Sequence, residues 1–336
     1  MPTGVFTADK VLSDYAASVG KGRFVADLIC PPMIVPTQTF KISLVDSHAE
    51  AYRNRDDRRA PGAAPVALDI NISRPTTFNC EEHALEAGVS APVLSDDVAA
   101  LKAEMTYLDR LVESVLTHKE AVFLAKVLEV LDSGGDATGD LTTSPSTKWN
   151  NASGKPITDL LGYISSFETR GQRSPNYIAM SAKVLRKIAV NSEFLSLRSD
   201  ASDKNSGLDA LASVLANLLG IEKVYVARAG KNTAASGATP SFTDQWDEQV
   251  LIGYQETPSI LCGAGMVQCV WNNPQSAITE GRGGLVNGWT VFRYPDPRTR
   301  TNYIQVSQFY DFESPFTAST TENAITPLYY VSNTLE

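Results

Sequence analysis

The chain has 336 residues, 43% hydrophobic and 20% charged, a balance that excludes disorder, collagen and coiled coil as whole-chain descriptions. No apolar run is long enough to span a membrane, and residues 1–21 carry no apolar core behind a basic start, so neither a membrane helix nor a signal peptide is expected. With 29 Lys and Arg against 38 Asp and Glu, the net charge of -9 excludes a protein whose affinity rests on neutralising phosphates.

Residues 1–39 read as an arm. Gly20, Gly22, Pro31, Pro32 and Pro36 interrupt them, and apolar residues come in short runs. Such a segment buries little by itself and is expected to lie along other surfaces. Residues 40–74 read as a long hairpin: Phe40–Leu44 alternates apolar and polar, and Val66, Leu68, Ile70 and Ile72 alternate on the return. Between Asp46 and Arg59, four acids (Asp46, Glu50, Asp56, Asp57) balance four bases (Arg53, Arg55, Arg58, Arg59). This is either a solvated loop or an arm that docks on a partner through paired charges.

The strongest helix signal spans 95–133. Ser95 is a candidate N-cap, Asp96 and Asp97 suit the positive end of the dipole, and Gly134-Gly135 ends the run. One apolar set is Val98, Leu101, Met105, Leu108, Val112 and Val115; a second is Phe123, Leu124, Val127, Leu128 and Leu131. Such a helix would extend roughly 55 Å at about 1.5 Å per residue. Residues 134–155, rich in Gly, Ser, Thr, Asp and Asn, read as a junction. Helices are then expected at 157–170, 181–190 and 208–219, and strands at 177–180, 223–228 and 249–254, with 230–243 a small-residue loop. A late hairpin joins 289–294 to 303–312, and 328–331 is a last strand.

A search for chemistry finds none. His48, His83 and His118 match no metal spacing, and no HExxH or CxxC occurs. No GxSxG or phosphate loop is present, and Gly263-Ala264-Gly265 lacks the third glycine of a dinucleotide fingerprint. Cys30, Cys80, Cys262 and Cys269 are expected to be reduced and mostly buried. No catalytic residue, cofactor or metal site is assigned, and an enzyme is not expected.

The order of parts resembles the major capsid proteins of tailed double-stranded-DNA bacteriophages, the Hong Kong 97-type fold, over nearly the whole chain. Residues 78–86 (Phe-Asn-Cys-Glu-Glu-His-Ala-Leu-Glu) resemble the segment between extended loop and spine helix. Lys155–Leu160 after Trp149, Pro175–Ser181, and Val291–Arg298 resemble the start of the axial domain, its next strand, and the late hairpin. The resemblance implies an α+β fold: an N-terminal arm (1–39), an extended loop (40–80), a peripheral domain (81–155 and 286–314, spine helix about 95–133) and an axial domain (156–285 and 315–336). It implies a structural protein of the virion, assembled in the bacterial cytoplasm as hexamers and pentamers around DNA that it does not bind specifically. Expected partners are other copies, a portal protein at one vertex and, optionally, a decoration protein; no membrane is expected. Arg53, Arg55, Asp56, Asp57, Arg58 and Arg59 are the candidate inter-subunit contacts.

Two family variations can be read here. The spine helix begins near Ser95, which leaves no room for a fused scaffolding segment ahead of the arm, so a separate scaffolding protein, or none, is expected. Some members cross-link through a lysine of the extended loop; Lys41 is the only lysine between 40 and 80, so no cross-links are expected. Encapsulin-type nanocompartments share the fold and are the nearest alternative. A soluble α+β enzyme with an unrecognised site, or a tail or decoration protein, are more distant ones.

Overall fold

The computed structural model describes residues 7–8, 10–18, 23–42, 44–45, 58, 72–73, 77–90, 97–133, 142–171, 173–197, 207–257, 265–272, 288–296, 298, 301–314 and 328–335. The first elements are β1 (Thr7–Ala8), α1 (Lys10–Ser18), α2 (Ala26–Ile29), β2 (Pro32–Val35), β3 (Thr39–Lys41), β4 (Leu44–Val45), β5 (Ile72–Ser73), β6 (Thr77–Asn79) and β7 (Glu81–Ser90). The long helix α3 (Asp97–Ser133) follows, then β8 (Thr142–Thr143), α4 (Pro156–Gly171), β9 (Tyr177–Ser181), α5 (Ala182–Val190), α6 (Ser192–Leu197) and α7 (Leu208–Leu219). The chain continues with β10 (Lys223–Ala227), β11 (Gly230–Asn232), β12 (Phe242–Asp244), β13 (Val250–Gly253), β14 (Val267–Trp271), β15 (Trp289–Asp296), β16 (Thr301–Glu313) and β17 (Leu328–Val331).

Helix α3 organises the molecule. Its two apolar sets face two different cores. Leu108, Val112 and Val115 pack with Val89, Trp289, Val291, Ile304 and Val306 of the late sheet and with Ala16 and Phe24 of the arm. Phe123, Leu124, Val127 and Leu131 pack with Trp246, Tyr310, Phe312 and the underside of the second sheet. Leu128, read as part of the second set, is 39% exposed and turns away from it.

Strand β16 is the centre of a six-stranded sheet. Gln308 lies between Trp289 of β15 and His83 of β7, and Tyr310 between Val270 of β14 and Glu81 of β7. The arm completes this sheet: β1 pairs antiparallel with β15, and β2 pairs parallel with β14. The expectation that the arm lies along other surfaces holds, and it contributes the short helices α1 and α2 as well.

The second sheet has the order β10-β9-β13-β17-β8. Period-two alternation buries both of its faces. Ile178, Met180, Val250, Ile252, Tyr329 and Val331 meet helices α4, α5, α6 and α7. Tyr177, Ala179, Leu251, Leu328 and Tyr330 point the other way, toward α3. Ser181 belongs to β9 and caps α5, its hydroxyl accepting from the Val184 N–H at 3.2 Å, so the helix read from 181 begins at Ala182. Gly220, at φ 68°, ends α7 in the left-handed conformation. The stretch 230–243 is not merely a loop: it contains the exposed antiparallel pair β11 and β12.

Candidate functional site

Of the six charged residues expected to meet a neighbouring subunit, Arg53, Arg55, Asp56, Asp57 and Arg59 lie outside the described residues; Arg58 is exposed. The base of their hairpin is described. Phe40 pairs with Phe78 in the β3–β6 ladder, and Val45 with Ile72 in the β4–β5 ladder, so the register steps by one residue between the two. Ile42, Phe78 and Cys80 are buried against Val35, Val267, Cys269 and Phe309. The N–H of Asn79 donates to Asp311 of β16, and Gln38 exchanges hydrogen bonds with the backbone of Cys80. Apolar burial and directional bonds therefore hold the loop's base on the sheet.

A second site lies at the middle of α3, between its two apolar sets. Lys119 and Glu120 are both buried there, at 1% and 0% exposure. The Lys119 ammonium sits 2.5 Å from the Asp27 carboxylate of α2, 3.3 Å from the Gln308 amide oxygen and 5.1 Å from the centre of the Tyr310 ring. One anion, one amide dipole and one π face replace its water. Glu120 accepts from the Trp246 indole N–H at 2.6 Å and from the backbone N–H groups of Val25 and Ala26 at 3.2 and 3.0 Å. Burial raises its pKa, while these three donors pull it back down. The two residues thus join the arm, the long helix, the late sheet and the loop before β13.

Residues 119 and 120 were not singled out from the sequence. The signal was available: position 119 lies four residues after Val115 and four before Phe123, on the buried stripe, where a lysine must find partners.

The histidines end in ordinary places. His83 stacks on Tyr310 with ring centres 4.1 Å apart, and His118 is exposed 5.5 Å from it. Burial lowers the pKa of His83, and His118 and Lys119 nearby lower it further. His48 lies outside the described residues. Cys30, Cys80 and Cys269 are buried, and burial pushes the Cys80 thiol up to about 12. Among the described residues, no three His, Cys, Asp or Glu side chains are grouped to hold a metal, and no helix is long and apolar enough to cross a membrane.

No protein-family model matches the chain, and no curated protein matches it in sequence. Solved structures do match in shape. A phage-related protein from Bordetella bronchiseptica RB50 is similar over 98% of this chain and 98% of its own, at 14% identity and a TM-score of 0.67. A virus-like particle from Pyrococcus furiosus is similar over 96% and 97%, at 12% identity and 0.53. The mature capsid of bacteriophage PhiM1 is similar over 90% and 85%, at 10% identity and 0.52. The mixed helix-and-strand fold is thus similar to that of phage capsid structures, the α+β fold that the sequence resemblance implied.

Proposed function

We propose that this protein is the major capsid protein of a tailed bacteriophage, assembling as hexamers and pentamers into an icosahedral head that encloses double-stranded DNA. The observation that carries the reading is the match in shape to a mature phage capsid chain over 90% of this chain and 85% of that one. The site chemistry agrees with it: the charged groups at the centre of the subunit are tied to each other, as a building block requires, and not presented in a cleft. The acidic balance supports a wall that surrounds DNA without gripping it.

In this reading the extended loop, with Arg53, Arg55, Asp56, Asp57, Arg58 and Arg59, reaches a neighbouring copy. The peripheral domain is built on β16 and α3, and the axial domain on the second sheet. The pairing of β14 with β16 supports adding Val267–Trp271 to the peripheral part. A portal protein is a further partner, and the virion is the final location.

The likeness to a virus-like particle favours one alternative, a nanocompartment shell. Electron microscopy of sedimented material from cells expressing the chain, with and without its genomic neighbours, tests both. Closed shells or rings of five or six subunits support a shell protein, and DNA-filled heads support the phage reading. Shells holding a protein cargo would support the nanocompartment. Uniform monomers or dimers would overturn both.

A further inference from the structure

The pair Lys119–Glu120 stands where the helix pattern calls for an apolar residue. Lys119 pairs with Asp27 and Glu120 is held by N–H donors; replacing such buried charges by apolar side chains of similar volume is often neutral or stabilising, so they are a poor device for stability alone. They are directional, however, and each of them reaches the same short stretch of arm. Lys119 takes Asp27; Glu120 takes the N–H groups of Val25 and Ala26. The arm's apolar holds here, Phe24, Val25, Ile29 and Cys30, lie in two adjoining cores, and at the ends of the stretch the carbonyls of Arg23 and Leu28 accept from the Arg228 N–H and the Gln255 side chain while the Cys30 thiol donates to the Met266 carbonyl. Apolar contacts alone would tolerate a shift of the arm along the helix, because burial is nearly indifferent to direction. Glu120 also holds Trp246, so a shifted arm would leave a buried carboxylate short of donors.

We infer that Lys119 and Glu120 are a registry lock for the arm: they fix residues 24–30 at one position on the long helix and link that position to the loop carrying Trp246. The lock decides where the arm docks and contributes little to whether the subunit folds. Its role is independent of what the shell contains.

The test removes one half of the lock without leaving a lone buried charge. In the full chain, Asp27→Leu is combined with Lys119→Met. Arg23, exposed just ahead of the locked stretch, is the reporter for trypsin. The expected result is cleavage after Arg23 at least tenfold faster than in the unaltered chain, with the midpoint of global unfolding in urea unchanged or raised. Glu120→Gln, which cannot satisfy all three donors, should also accelerate cleavage and shift the Trp246 fluorescence. Unchanged cleavage in both the double variant and Glu120→Gln would overturn the inference, since the remaining contacts of the arm would then set the register. A fall in the global midpoint that accounts for the faster cleavage, or failure to fold, would overturn it too, since the pair would then be a stability element.

Discussion

The backbone N–H of Asn79 donates to the Asp311 carboxylate at 2.8 Å, across 232 residues of sequence, and this bond fastens the return strand of the extended loop to β16. Burial, with Glu313 nearby, raises the Asp311 pKa to about 6; the Asn79 N–H and Lys126 oppose the rise. A carboxyl whose folded pKa is raised is stabilising while protonated, so this contribution is full below the ordinary Asp range and is lost as pH rises through about 6. Asp311→Asn should keep the acceptor for Asn79 and remove the titration. Its melting temperature is expected to exceed that of the unaltered chain above pH 6, and the difference to vanish near pH 4. Melting curves across this range check it.

The Asp27–Lys119 pair should respond asymmetrically to mutation. Lys119 is 2% exposed at its side chain and Asp27 is 38% exposed. Asp27→Ala leaves a buried ammonium without its anion and is expected to cost roughly 3–5 kcal/mol. Lys119→Met leaves a carboxylate that water can reach and is expected to cost about 1 kcal/mol or less. Urea unfolding of the two variants side by side would show the order, and equal costs would contradict it.

Gly288 opens β15 at φ 76°, with its α-carbon turned against the side chain of Val270 in β14. An added methyl would fall inside the volume of the Val270 methyl group. Gly288→Ala combines a left-handed backbone with a collision in a filled core, and is expected to cost about 2 kcal/mol or more. Gly162, in α4, has nothing near its missing side chain. Gly162→Ala should be neutral or slightly stabilising in the same unfolding assay.

Lys41 stands on β3 opposite Thr77, at the foot of the extended loop, and no other lysine occurs between 40 and 80. Assembled material is therefore expected to run as a single band on a denaturing, reducing gel. A ladder of multimers would contradict this.

The regular, locally encoded parts of the fold could be read from the residues. The long helix was expected at 95–133 and spans Asp97–Ser133; the late hairpin, α4, α7 and the buried strands fall where their periodicities placed them. Strand β7 could not be read this way. Its sequence Glu-Glu-His-Ala-Leu-Glu-Ala-Gly-Val-Ser contains good helix formers, and only its ten-residue pairing with β16 makes it a strand. Ribbon β11–β12 is entirely exposed, so no apolar alternation marks it. The junction at Lys119 and Glu120 was hidden for a similar reason. Its partners Asp27, Trp246 and Gln308 lie 92 to 189 residues away, and spacing along the chain gives no hint of them.

Strand β17 has consequences for synthesis. It lies inside the second sheet, between β13 and β8, yet it is made only when residue 328 is reached. Strands β1 and β2 of the arm likewise precede their partners β15 and β14 by more than 200 residues. The second sheet cannot close on a ribosome that has stopped early, because without β17 one edge of β13 stays open and β8 loses its partner. A chain that stops before residue 328 would thus lack a closed second sheet.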